Sequence, residues 1–323
     1  MSVLVLTAEK RLPDLTGFYR SLGSLLELDI HRLDKAQQSN LRRTLRVIDL
    51  DRYSRVLLDL PFRQVHRQWR TLRRLPGLLI YDEDACQNYL ANSRWHGAFS
   101  QLYRRVPNAQ VVVTGARIAE RLGEEGFDAH WLPKGYDSQQ VYFQAGERDI
   151  ELGFIGRTSS KVYSGRQELL AALAAEEHLQ MLRTEPGADY RAALNRIRFF
   201  ISADVGLGEY MAKNFEAMAC GCVLLAWRQG QEEQRLGLEH GRHLLLYSSL
   251  AELRDHLSRL RGDPRWAADI ADQGRAWTEA RYSYAHMAAC MAKLLMDPRP
   301  FKPAVIRSSW WRSLIRRAVL RPI

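Results

Sequence analysis

The chain has 323 residues, 46% of them hydrophobic and 26% charged, which excludes a disordered or collagen-like chain and leaves a globular one. That length is too great for one comfortable core, so two domains with a cleft between them are expected. The net charge of +10 is clustered: ten arginines lie between Arg42 and Arg74, and no acid occurs from Arg299 to Ile323, so phosphorylated or anionic partners suit the chain.

The N-terminal run Val3-Leu4-Val5-Leu6 is short, without a basic leader or cleavage site, and reads as a first buried strand rather than a signal peptide. No apolar stretch reaches the ~18 residues needed to span a bilayer. Cys86, Cys220, Cys222 and Cys290 match neither a zinc site nor a disulfide framework, which is the pattern of small buried residues in a reducing cytoplasm.

Apolar runs at 3–6, 56–60, 78–81 and 111–114 predict short buried strands separated by amphipathic segments, the rhythm of a parallel sheet with helices outside. Phe62, Val65, Trp69 and Leu72 recur at helical spacing with Arg63, Arg67, Arg70 and Arg74 on other faces, predicting one amphipathic helix. Tyr81-Asp82-Glu83-Asp84 follows the third strand and should project into the cleft, where clustered carboxylates can orient an acceptor hydroxyl or act as a base. Asp82 and Asp84 are placed ahead of Glu83 for that role. His66, His96 and His130 are read as structural or solvated.

A Pro/Gly turn at 132–137 and the polar stretch after it put the domain boundary near 138–148. The predicted division is 1–140, 141–298 and a basic amphipathic tail, 299–323. The second half again alternates, with strands at 150–155, 199–202 and 223–226 and helices at 167–174, 211–219 and from 250 onward. Neither half has G-x-G-x-x-G after its first strand or a P-loop, which disfavours nicotinamide or flavin chemistry and ATP hydrolysis. In the tail, Trp310, Trp311, Leu314, Ile315 and Ala318 share one helical side flanked by Arg312, Arg316 and Arg317, as in an interfacial membrane anchor.

The most informative stretch is 199–225: a strand, a turn with Gly206 and Gly208, a helix, a stop at Gly221 and another buried strand. Such a turn aims helix N-terminal N–H groups at the carboxyl end of a sheet, where they can cradle a diphosphate. Lys213 adds a positive charge there, and Glu216, three residues on and on the same helix face, can accept hydrogen bonds from a ribose diol. Arg157, Lys161 and Arg166 in the loop after the 150–155 strand are further phosphate candidates.

Phe215-Glu216-Ala217-Met218-Ala219-Cys220-Gly221 resembles the signature of the bacterial two-domain "group 1" glycosyltransferases, and the preceding Lys213-Asn214 is similar to their spore-maturation and lipopolysaccharide-type branch. Leu132-Pro133-Lys134-Gly135-Tyr136-Asp137 is similar to the turn before that family's second domain, and Gly156-Arg157 to its strand-then-loop. The resemblance runs in order over 110–290 and implies a GT-B architecture, two facing Rossmann-like domains. It further implies ribose binding by Glu216, diphosphate contact by Lys213, and a nucleotide-sugar donor, most naturally UDP-linked, with no separate cofactor and no metal.

The implied acceptor is a cell-envelope glycan or glycolipid such as lipopolysaccharide, and the implied location is the cytoplasm, peripheral on the inner membrane face, with no nucleic acid partner. Many relatives carry E-x7-E, which would need a glutamate at 208; here Gly208 is followed by Glu209, one residue off. The expected site is therefore Lys213, Asp82 and Asp84 for catalysis, with Arg157, Lys161, Glu209, Asn214 and Glu216 on the donor. The rival readings are a sugar-nucleotide epimerase of similar fold and a noncatalytic glycosyltransferase-like or basic binding protein.

Overall fold

The computed structural model describes residues 2–157 and 164–297. The N-terminal part of the chain builds a six-stranded parallel sheet from β1 (Ser2–Ala8), β2 (Glu27–Leu33), β3 (Arg55–Asp59), β4 (Leu78–Asp82), β5 (Gln110–Val113) and β6 (Ala129–Trp131), in the order β2-β1-β3-β4-β5-β6. Central strands such as β1 and β3 are buried on both faces, so they read as continuous apolar runs rather than alternating ones. Leu4, Leu6, Val56, Leu58 and Ile80 form one core with the helices that follow β2, β3 and β4. Val3, Val5, Leu57 and Leu79 face the opposite side, against Phe18 and Leu22 of the helix Leu12–Gly23.

A second parallel sheet contains β7 (Ile150–Ile155), β8 (Leu179–Leu182), β9 (Ile197–Ser202), β10 (Val223–Trp227) and β11 (Leu245–Tyr247), ordered β11-β10-β9-β7-β8. Phe200 of β9 sits opposite both Leu224 and Gly153. Residues 132–149 connect the two sheets without a strand or helix. Tyr136 N donates to Tyr282 O at 3.0 Å and Tyr284 N to Tyr136 O at 2.8 Å, so two crossings between domains lie side by side. Gly135 is needed there, because a Cβ would sit 2.6 Å from the Tyr282 carbonyl oxygen.

Two expectations are corrected. The helix predicted across 62–74 is two short ones, Phe62–Val65 and Trp69–Leu72. Between them Gln68 turns inward, accepting from Leu41 N at 2.8 Å and donating to Gln38 O at 2.7 Å, which ties the break to its neighbour. The final helix, Tyr284–Met296, does not stay with the second sheet: it packs on Leu12–Gly23, with Phe18 and Tyr284 rings edge to face at 6.1 Å. Its apolar residues Met287, Met291 and Leu295 are buried by this return, and Arg55 Nε donates to Leu295 O at 3.1 Å. The tail and Lys161 lie outside the described residues.

Candidate active site

A cleft of about 920 Å³ opens between the carboxyl ends of the two sheets. From the second domain it is lined by Gly156 and Arg157 after β7, by Thr184, Pro186 and Gly187 after β8, and by Met211, Ala212, Lys213 and Glu216. Met211 is the N-cap of the helix Ala212–Ala219, which carries the other three and whose N-terminus has no side-chain cap. Its first N–H groups and the helix dipole are therefore available to an anion.

Lys213 donates from Nζ to Ile155 O at 2.9 Å and lies 5.5 Å from the Phe154 ring centre. Burial pushes its ammonium below the usual lysine range, against the favourable charge of Asp204. Gly156 makes this approach feasible, since a side chain there would collide with the Lys213 amine. One helical turn on, Glu216 Oε2 accepts from Tyr190 OH at 2.5 Å, which holds the carboxylate at the cleft wall beside Gly187.

Other predicted donor contacts fall elsewhere. Asn214 is buried behind the helix and donates to Asp204 Oδ2 at 3.3 Å, because position 214 points to the sheet while 213 and 216 point to the cleft. Arg166 is also internal: it pairs with Asp204 and donates to Ala203 O at 3.3 Å and to Arg157 O at 3.4 Å, so it ties the turn after β9 to the loop after β7 rather than lining the cleft. Arg157 is exposed on the cleft rim.

Glu209 departs furthest from expectation. It is buried, accepts from Thr114 Oγ1 at 2.6 Å and meets Lys134 Nζ at 3.2 Å. Thr114 follows β5 in the first domain, so this carboxylate clamps the domains together instead of lining the cleft. Burial alone would lower the Lys134 pKa, but Glu209 and Glu83 on either side overcome it and hold the lysine charged. A second clamp comes from Glu232, whose carboxylate accepts from Ala116 N at 2.8 Å and caps the first-domain helix Ala116–Glu124 from across the interface. Burial pushes the Glu232 carboxyl up to about 7, against the hydrogen bonds from Ala116 and Arg117.

On the first-domain wall, strand alternation decides which acid reaches the cleft. Tyr81 and Glu83 line it; Asp82 and Asp84 do not. Asp82 points the other way, accepting from Tyr103 OH at 3.1 Å, and burial with the nearby Asp84 charge pushes it up to about 7. The expectation that Asp82 and Asp84 would precede Glu83 is therefore reversed.

Glu83 accepts from Tyr81 OH at 2.9 Å and pairs with Arg11 Nη2 at 2.9 Å, while Arg11 Nε also meets the buried Asp59 at 2.6 Å. Burial would raise the Glu83 pKa, but Arg11 and Lys134 outweigh it and keep the group ionised. The result is a fixed carboxylate able to orient a hydroxyl.

Sequence reasoning missed Arg11, Lys134 and Tyr190. Arg11 and Lys134 could have been found from their places just after β1 and in the turn between domains. The Tyr190 wall follows β8, a strand of only four residues whose burial does not alternate.

Residues 157–293 match the family model described as glycosyl transferase-like. The fold is similar to sucrose-phosphate synthase from Thermosynechococcus elongatus, at 14% identity over 98% of this chain and 100% of that one, with a TM-score of 0.68. It is also similar to HepE from Anabaena in complex with UDP-glucose, at 14% identity over 91% and 99%, TM-score 0.66. A third likeness is to a DNA-modifying β-glucosyltransferase solved with and without uridine diphosphoglucose, at 10% identity over 91% and 99%, TM-score 0.57. No curated protein sequence matches the chain.

Proposed function

From a chain that is a glycosyltransferase of the two-domain GT-B architecture, we propose that the donor is a UDP-linked sugar held by the second domain and that the acceptor is a cell-envelope glycan or glycolipid, such as lipopolysaccharide, on the first. The observation that carries this reading is the cleft itself. An uncapped helix N-terminus, Lys213 and Glu216 on one wall face the ionised Glu83 and Arg11 on the other.

The diphosphate would lie against the helix N-terminus, Lys213 and Arg157, with the ribose diol donating to Glu216. Glu83 accepts a hydrogen bond from the acceptor hydroxyl and aims its oxygen at the anomeric carbon. As that C–O bond forms, the bond to the β-phosphate oxygen breaks and its electron pair stays on UDP, while the hydroxyl proton passes to the Glu83 carboxylate and from there to solvent. Lys213 and Arg157 offset the negative charge growing on the leaving group, so no further cofactor is required. Domain closure through Glu209 and Glu232 would keep water from the same carbon.

A thermal-shift panel of UDP, GDP, ADP and CMP sugars tests the donor, since a ligand at a hundred times its Kd adds ~2.7 kcal/mol of stability. A response to UDP sugars, and release of UDP only with acceptor present, is expected. No response to any nucleotide would overturn the reading, and acceptor-independent turnover would favour an epimerase. The proposed location is the cytoplasmic face of the membrane; among the described residues no helix is long and apolar enough to cross one.

A further inference from the structure

The arginine-rich sequence of the first domain becomes a single surface once folded. Three stretches, 35–48, 60–81 and 85–109, contain no aspartate or glutamate. They pack side by side over the same face of the first sheet: Gln68 bonds to Leu41 and Gln38 across the first two, and Phe62 stacks on Phe99 at 3.7 Å across the second and third. The outer side of this layer carries Arg42, Arg43 and Arg46 from the first stretch, exposed and, among the described residues, without a carboxylate within 4.0 Å. Arg63, Arg67, Arg70 and Arg74 add four more from the second, equally exposed and unpaired by acids. Among the described residues, Arg104 at the far end is the one arginine of this layer that forms an ion pair, with Glu125 at 2.6 Å.

This face is not purely polar. Val47 is 89% exposed among the arginines. Trp69 and Trp95 are half-buried at the same surface, with Arg70 and Arg105 guanidinium carbons 5.1 and 5.8 Å from the Trp69 ring and Arg94 4.7 Å from the Trp95 ring. Unpaired cations interleaved with indoles and an exposed aliphatic side chain suit the headgroup region of an anionic bilayer, which offers phosphates above and acyl carbon just beneath. A nucleic acid would use the cations and leave Val47 without a partner.

We infer that this face of the first domain is a docking surface for an anionic lipid bilayer. The inference rests on the reading of a membrane-borne acceptor, and it supplies what that reading needs: the three stretches start directly after β2, β3 and β4, at the same sheet edge that presents Glu83 to the cleft. Docking here holds the acceptor wall of the cleft next to the lipid headgroups. It is independent of the tail, which is also basic.

The experiment compares three full-length proteins: wild type, a variant with Arg63, Arg67, Arg70 and Arg74 each changed to Gln, and a variant with tail residues Arg312, Arg316 and Arg317 changed to Gln. Each is mixed with phosphatidylcholine vesicles with and without roughly one-third phosphatidylglycerol, at about 0.1 M salt, and with duplex DNA. The expected result is that wild type binds the anionic vesicles, that the first-domain variant loses on the order of 10²- to 10³-fold in partitioning, and that the tail variant retains most of it.

Wild-type partitioning in the first-domain variant, loss confined to the tail variant, or binding to DNA as tight as to vesicles would each overturn the inference. A UDP thermal shift on the same samples separates the two readings: it reports on the donor site whichever way the vesicles behave.

Discussion

Replacing Lys213 by methionine should split stability from catalysis, because the unliganded protein holds this ammonium at a cost. Its Nζ has one carbonyl partner, Ile155 O at 2.9 Å, and burial pushes its pKa down. A lysine depressed in this way binds its proton less tightly folded than unfolded, so its charged form opposes folding at neutral and acid pH. Lys213→Met keeps the apolar stem against Phe154 and removes the charge, so the empty protein should be as stable as wild type or slightly more so.

With donor bound the balance reverses. The ammonium then faces a diphosphate whose charge grows toward the transition state, and removing one such preorganised contact costs about 10²- to 10³-fold in kcat, or roughly 2.7–4 kcal/mol. Glu216→Gln should behave differently, raising the donor KM with a smaller change in kcat, since a ribose contact is made about equally in ground and transition states. Steady-state kinetics at saturating acceptor, beside thermal melts of the empty proteins, check both. Wild-type kcat in Lys213→Met, with folding intact, would refute the assignment of this face of the helix to the donor.

Glu83→Gln should lower turnover on the order of 10²-fold through loss of acceptor orientation, whereas Asp82→Asn, away from the cleft, should leave kcat near wild type; parallel assays decide which acid serves the acceptor. Glu209→Ala leaves Lys134 buried without its nearest carboxylate and should cost about 3 kcal/mol in denaturant melts, with Glu209→Gln losing less. Glu232 has a folded pKa raised to about 7. Its contribution is therefore fully present below the ordinary glutamate range and lost as pH rises through about 7. Melts of Glu232→Gln should gain on wild type as pH rises across that window, and a constant difference between the two would contradict the raised pKa.

Much of the architecture was legible because its signals are local. β1, β3, β4 and β5 are short apolar runs, and the strand, turn and helix around Lys213 and Glu216 carry the spacing of an anion site within some twenty residues. β2, β6, β8 and β11 were not legible. β2 lies at a sheet edge with most of its residues half-exposed, and β8 alternates too weakly to stand out from loop. With β8 unseen, the Tyr190 wall after it was invisible too.

The proposed donor wall of the cleft was set by the sequence, since Lys213 and Glu216 lie on one face of one helix and helical periodicity alone brings them together. Which acid reaches the cleft was decided by the tertiary structure. Asp82, Glu83 and Asp84 are adjacent in the chain, and only the orientation of β4 within its sheet turns Glu83 to the cleft and Asp82 to Tyr103. The same holds for Glu209 and Glu232, whose partners Thr114 and Ala116 lie about a hundred residues earlier. A periodic pattern encodes which side chains share a face; what stands opposite that face depends on how two domains close, and no local spacing records it.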